Sequence, residues 1–153
     1  MKKTLKEQYP KVYLYRRIVQ AKIFIDEHYS DDIDLGNISD EAYFSKFHFI
    51  RLFKKIYGKT PHQYLTTVRI EKAATMLRDG NGVTETCYAV GFDSASSFSG
   101  LFKKITGSSP SEFNAVHQRL KKEIAETPLK FVPGCFALQH GWTKNSNFEE
   151  VTM

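Results

Sequence analysis

The sequence has little cysteine, and its two cysteines are far apart. Cys87 and Cys135 form no C-x-x-C pair, so they predict neither a disulfide framework nor a zinc site. Cys87 takes a small apolar position inside a predicted helix, which indicates a buried, reduced thiol. Cys135 has no neighbouring histidine that would activate it as a thiolate. Neither cysteine therefore indicates a metal or redox function.

The sequence also lacks long apolar runs and the short motifs of common enzymes. No apolar run approaches the roughly 18 residues of a membrane span, and Met1-Lys2-Lys3 is not followed by the apolar core of a signal peptide. The histidines show no H-E-x-x-H spacing, and neither a phosphate-loop glycine pattern nor a nucleophile elbow occurs. We therefore expect a cytoplasmic protein with no membrane partner, no cofactor, no metal and no catalytic residue.

Acidic residues are missing from two long stretches of the chain. None occurs between Glu41 and Glu71 or between Asp93 and Glu112, although basic residues occur in both stretches and the net charge is +5. This segregation indicates a surface that attracts phosphates. A solvated basic face would explain one such stretch, but two at equivalent places of a repeat are harder to explain in that way.

The two stretches contain an internal repeat. The pattern L-F-K-K-I-x-G-x-[TS]-P-x-x-[YF] begins at Leu52 and again at Leu101, 49 positions later. Upstream, Phe49 matches Phe98 at the same offset, and further back the offset becomes 48. One unit therefore has one additional residue, which falls in the turn between its two helices, where length changes are best tolerated. Each unit has a short helix, a turn and a longer helix ending at glycine, which is the order of a helix-turn-helix. Such a doubled surface suits a repeating polymer, and DNA is the leading candidate.

Apolar periodicity predicts an all-α fold of about seven helices, consisting of two helix-turn-helix subdomains joined by a long linker helix. After a frayed segment over residues 1–12, the predicted helices span Tyr13–Tyr29, Leu35–Ala42, Ser45–Tyr57, Pro61–Leu77, Val83–Val90, Ser94–Thr106 and Pro110–Glu126. The side chains expected inside include Ile18, Ala21, Ile25, Phe49, Leu52, Phe53, Ile56, Leu65, Ala73, Leu77, Phe113, Val116 and Leu120. Ser45 is expected to cap its helix, Gly58 and Gly107 to end theirs, and Gly91 to need a positive φ in the second turn.

These elements divide the chain into four parts. We expect a first helix-turn-helix subdomain over 13–60, the linker helix over 61–79, a second subdomain over 83–126 and an apolar C-terminal tail over 127–153. The tail fits an extended strap packed on the domain, and a partner-binding segment is the alternative.

The segment Ser45–Lys55 and the pattern G-F-x-S-x-x-x-F-x-x-x-F-K-x-x-x-G-x-x-P over Gly91–Pro110 resemble the DNA-binding domain of AraC/XylS-type transcription regulators. The resemblance covers roughly Tyr13 to Arg119, and its second half is highly specific for that family. It implies a transcription activator that binds double-stranded DNA and has RNA polymerase as a partner. Family members usually carry a separate sensor domain, for which 153 residues leave no room, so the chain looks like the short, stand-alone members.

The linker helix fits two recognition helices on one face of a duplex. From Pro61 to Leu77 it is about 17 residues long and spans about 25 Å at roughly 1.5 Å per residue. Successive major grooves on one face lie about 34 Å apart. With the offset of each recognition helix added, one monomer can reach both grooves.

The family pattern assigns the DNA-contacting positions. Base contacts are expected at Lys46, Phe47, Ile50 and Arg51 in the first recognition helix and at Ala95, Ser96, Ser97, Ser99 and Gly100 in the second. Phosphate contacts are expected at Ser45, Lys54, Lys55, Ser94, Lys103 and Lys104. Arg51 suits a bidentate bond to guanine, and Phe47 suits a thymine methyl group. A core position is the alternative for Phe47, although it lies off the inner stripe.

The second recognition helix departs from the family, because serines read bases weakly and Gly100 has no side chain. In the first unit, Tyr43 replaces the expected turn glycine and Ser39 a small apolar residue. A protein-interaction module of the same fold with weak or lost DNA specificity is therefore the main alternative function. Some DNA-repair methyltransferases carry a similar domain, but Cys135 lacks the setting of a reactive thiol.

Overall fold

The computed structural model of the protein describes residues 5–33 and 45–133, and residues 36 and 139 as single positions. This part of the chain is helical and contains no strand, as the sequence predicts. Its helices are α1 (Leu5–His28), α2 (Lys46–Tyr57), α3 (Pro61–Asp79), α4 (Val83–Ala89), α5 (Ala95–Thr106) and α6 (Pro110–Glu126), followed by a 3-10 turn (Pro128–Phe131). None of these described helices is long and apolar enough to cross a membrane. The predicted helix Leu35–Ala42 lies outside the described residues except for Gly36, as do Tyr43 and most of the tail after Pro133.

Helices α2 and α5 end in the same way. The glycines that follow them, Gly58 and Gly107, have φ of 73° and 90°, and their N–H groups donate to the helix carbonyls of Lys54 and Lys103, each at 2.9 Å. This left-handed ending is the one that glycine allows at least cost. The repeat is therefore present in the backbone as well as in the sequence.

The helices that follow, α3 and α6, also begin in the same way. The Thr60 hydroxyl accepts from the Gln63 N–H at 3.3 Å, while the Gln63 side chain accepts from the Thr60 N–H at 3.0 Å. Ser109 and Glu112 form the equivalent capping box at 3.3 and 2.9 Å, and the bonds from the Ser109 backbone and hydroxyl lower the pKa of Glu112. Each box satisfies N–H groups that a helix start leaves without partners.

Two apolar cores lie along α3, which contributes to both. The first contains Ile18, Ala21, Ile25, Phe49, Phe53 and Leu65, all buried. The second contains Ile70, Ala73, Ala74, Leu77, Cys87, Val90, Phe98 and Phe102, also buried. Tyr29, just after α1, packs against both cores. The predicted burial of Cys87 is confirmed.

Some predicted positions are wrong. Ile56, Val116 and Leu120 are 38%, 51% and 41% exposed, although their spacing placed them inside. The apolar period marks a stripe on a helix, but α6 is the last helix before the 3-10 turn and has no further described helix to cover the outer part of its stripe. The prediction of a frayed segment over residues 1–12 is also wrong for residues 5–12, because α1 begins at Leu5, while residues 1–4 lie outside the described residues. Its first turn holds leucine, lysine, glutamate and glutamine, all good helix formers, although Pro10 follows in the second turn.

Candidate nucleic-acid interface

Helix α2 separates a buried face from an exposed one. Phe49 and Phe53 are fully buried, with ring centroids 5.6 Å apart, and Phe53 also packs edge-on against Tyr64 of α3. Phe47 points away from this core and is 79% exposed, so the core alternative for Phe47 is wrong. Outward positions Lys46, Arg51, Lys54 and Lys55 are exposed and Ile50 is half-buried.

Helix α5 repeats this arrangement with different outer side chains. Phe98 and Phe102 are fully buried with ring centroids again 5.6 Å apart, and Phe102 packs edge-on against Phe113 of α6. Its outer positions Ala95, Ser96, Ser97, Gly100, Lys103 and Lys104 are exposed, and Ser99 is half-buried. A β-carbon at Gly100 would meet nothing within 4 Å, so this part of the surface is open.

The two helix starts differ in detail. The Ser94 hydroxyl accepts from the Ser97 N–H at 3.4 Å and thereby caps α5. Ser45 occupies the equivalent position at the start of α2, but its side chain makes no capping bond. The prediction that Ser45 caps its helix is therefore right about the position and wrong about the capping bond. Both serines are exposed, and the hydroxyl hydrogen of each can be donated to a phosphate oxygen.

The charge on both outer faces is basic. Neither α2 nor α5 contains an acidic residue. Among residues 5–33 and 45–133, the salt bridges join other side chains: Lys22 to Asp26, His28 to Asp31, Lys122 to Glu126 and Lys130 to Glu123. None of these salt bridges involves Lys54, Lys55, Lys103 or Lys104, and all four of these lysines are exposed. Such a surface attracts phosphates at long range.

Arg69 does not belong to this surface, although it lies in the acid-free stretch between Glu41 and Glu71. Its guanidinium turns inward and donates from Nε to the Tyr29 carbonyl at 2.6 Å and from Nη2 to the Asp31 carbonyl at 2.8 Å. Burial lowers the pKa of Arg69, and the charges of Asp93 and Asp32 act in the opposite direction. No sequence pattern signals this role, because backbone carbonyls are available at every residue.

The sequence profile of a family described as "Helix-turn-helix domain" matches residues 38–116, which is more than half of the chain and includes α2 and α5. The chain belongs to the AraC-type helix-turn-helix family.

Relatives in this AraC-type family include transcriptional regulators and solved DNA-binding domains. The MmsAB operon regulatory protein of Pseudomonas aeruginosa is 35% identical over 100 residues, which are 65% of this chain and 32% of that protein. The DNA-binding domain of AdpA, crystallised in complex with a target DNA, is 27% identical with a TM-score of 0.64, covering 73% of this chain and 96% of that domain. The C-terminal domain of AraT, a response regulator from Geobacillus stearothermophilus, is 30% identical with a TM-score of 0.62, covering 65% and 84%.

The chain spans only part of the AraC-type relatives that it matches. It covers 26%, 57% and 32% of the length of three of these curated regulators. What is shared with them is thus the helix-turn-helix part, which contains α2 and α5.

Proposed function

We propose that this chain regulates transcription, as an activator, by binding double-stranded DNA with α2 and α5 in successive major grooves. One observation carries the proposal. Helices α2 and α5 each expose an outer face without acidic residues, and each is held by a pair of buried phenylalanines. Phe49 and Phe53 hold α2, and Phe98 and Phe102 hold α5 at equivalent positions. The similar domain of AdpA, solved with a target DNA, supports DNA as the ligand.

The length of α3 supports two-groove binding. With 19 residues, α3 is about 28 Å long at roughly 1.5 Å per residue. Because α2 and α5 pack at different levels of this helix, a separation of about 34 Å, one turn of DNA, is within reach.

Within this proposal the exposed positions have two roles. The first halves of the helices contact bases, through Lys46, Phe47, Ile50 and Arg51 of α2 and Ala95, Ser96, Ser97, Ser99 and Gly100 of α5. The helix ends contact phosphates, through Ser45, Lys54, Lys55, Ser94, Lys103 and Lys104. Phosphate contacts fix the register of a protein on DNA, whereas contacts to base edges carry the sequence information.

An activator also needs a protein partner, and we propose RNA polymerase. The surface offered to further partners would include the outer stripe of α6, where Val116, Leu120 and Ile124 are exposed. The C-terminal tail over 127–153 would either strap this stripe or bind a partner itself.

A binding-site selection from a randomised DNA library, using the purified chain, tests the proposal. We expect selected sites with two blocks of base preference centred about 10–10.5 base pairs apart. We also expect affinity to fall steeply with salt. Salt-dependent binding without any selected sequence would instead favour the interaction module, which the serine-rich face of α5 makes the second candidate.

A further inference from the structure

Two segments that are distant in sequence meet at the guanidinium of Arg69, near the middle of α3. The first is the chain just after α1, where the carbonyls of Tyr29 and Asp31 accept from Arg69 at 2.6 and 2.8 Å. The second is the turn before α5, where the ring centroid of Phe92 lies 5.7 Å from Arg69 Cζ. Arg69 therefore connects the first half of the molecule to the second.

The approach of these segments is close enough to require glycine. Gly91 has φ of +89°, and a β-carbon there would lie 2.8 Å from the Ser30 carbonyl oxygen and 3.0 Å from the Arg69 guanidinium. A side chain at residue 91 would thus push the turn away from both. The turn that precedes α5 rests directly on the end of α1 and on Arg69.

The contact continues to the recognition helix. The Phe92 ring lies 5.3 Å from the ring of Phe98, which is fully buried under α5. On the other side, Tyr29 packs against both cores, and Lys72 Nζ lies 5.5 Å from its ring. A chain of contacts thus runs from the end of α1 through Arg69 and Phe92 to the base of α5.

Arginine suits this place for a physical reason. The Tyr29 and Asp31 carbonyls lie just beyond the C-terminus of α1, the end that the helix dipole makes negative. A guanidinium donates in several directions in one plane and also stacks on an aromatic ring. A lysine has the charge but not the planar fork, so it cannot bond two carbonyls and stack on Phe92 in the same way.

We propose that Arg69 is a positioning residue that fixes the two recognition helices relative to each other and so determines which half-site spacing the protein accepts. This inference rests on the proposed DNA-binding function. Without Arg69, α3 and Tyr29 still join the two halves, but the turn before α5 can shift against the end of α1. The protein would then tolerate half-sites that are one base pair closer or further apart.

The first test measures the separation of α2 and α5 without DNA. Spin labels are attached at Ile56→Cys and Ile105→Cys, which are exposed, repeat-equivalent and outside the proposed DNA contacts. Cys135 is replaced by serine, and buried Cys87 is retained.

Pulsed electron paramagnetic resonance should give a distance distribution about twice as wide for Arg69→Met as for the parent. Arg69→Lys should give a distribution of intermediate width, and it replaces Arg69→Met in the test if that variant does not fold. Arg119→Met, the same change at an exposed position of α6, should leave the distribution unchanged.

The second test uses the DNA site selected by the parent chain, with the spacer between its half-sites changed by one base pair in either direction. The parent should lose about tenfold or more in affinity, on the scale of one mismatched base pair, whereas Arg69→Met should lose much less. Base preference within each half-site should not change.

An unchanged spacing preference in Arg69→Met would overturn the proposal, even with a wider distance distribution, because DNA contacts alone would then set the spacing. A parent chain that selects no site would refute the proposed function, while the distance measurement would still decide for or against the positioning role of Arg69.

Discussion

At the scale of single residues, the two recognition helices differ most at the repeat-equivalent pair Arg51 and Gly100. Both positions are exposed on the outer face, and behind each lies a pair of buried phenylalanines with the same ring spacing. The buried phenylalanines therefore hold both helices with their outer faces exposed, and under the proposed function the side chains suited to direct reading of bases belong to α2.

We expect Arg51→Ala to weaken binding to the selected site by about 1–3 kcal/mol and to relax preference at one or two adjacent base pairs. The reason is the loss of a bidentate donor to guanine. Affinities for cognate and scrambled DNA, measured side by side, check this. An unchanged ratio between them would mean that Arg51 does not read bases.

We expect the natural chain to show strong base preference in one major groove and weak preference, dominated by DNA deformability, in the other. Gly100→Arg should then sharpen the weak half, because a side chain there enters open space. The fold should tolerate the change, since arginine favours a helix over glycine by most of a kcal/mol. Sequence logos from library selection measure both effects, and Gly100→Ala controls for helix propensity. Equal information in both grooves of the natural chain would contradict the asymmetry.

The sequence predicts some of these residues better than others. The sequence predicts that Phe47 is exposed, because it lies off the apolar stripe of its helix, and the structure confirms that exposure. Arg69 is not predictable in the same way, because its hydrogen-bond acceptors are backbone carbonyls 38 and 40 positions away. Only the fold brings them together.

At the scale of elements, the repeat predicts α2 and α5 nearly to the residue, because a serine precedes the first residue of each helix and a glycine follows its last. It predicts burial less well. Ile56 and Ile105 are equivalent in the repeat and both are exposed, although their spacing continues an apolar stripe. Periodicity identifies a helix face, but the depth of burial depends on which neighbour covers that face.

We expect the lysine pairs at the ends of α2 and α5 to act on every DNA sequence alike. Replacement of Lys54, Lys55, Lys103 or Lys104 by alanine should weaken all sites and lower the log–log salt slope by about one unit, since each phosphate contact releases counterions. Binding titrations between low and moderate salt measure the slope. Lys121→Ala on α6 is the control and should leave it unchanged. Four unaltered slopes would show that these lysines make no phosphate contact.

At the scale of the whole molecule, the described helices extend no further than the 3-10 turn, which packs on α6 with Lys130 Nζ 3.6 Å from Glu123 Oε1. We expect a chain truncated after Pro133 to keep its DNA site preference, because both recognition helices lie before that point. Its melting temperature should fall if the tail covers the exposed stripe of α6. Calorimetry and library selection on the truncated chain check the two parts separately. Loss of DNA binding by a folded truncated chain would contradict the prediction.

The sharing of α3 and Tyr29 between the two cores has a consequence for folding. Leu65 belongs to one core and Ile70 to the other, only five positions further along the same helix. Because Tyr29 touches both cores, neither half can open without exposing apolar surface of the other. The two halves should therefore unfold in one cooperative step, with amide hydrogens of α2 and α5 exchanging at similar rates. A substitution in one half that lowers the stability of the protein can then reduce DNA binding in both major grooves, because both halves unfold together.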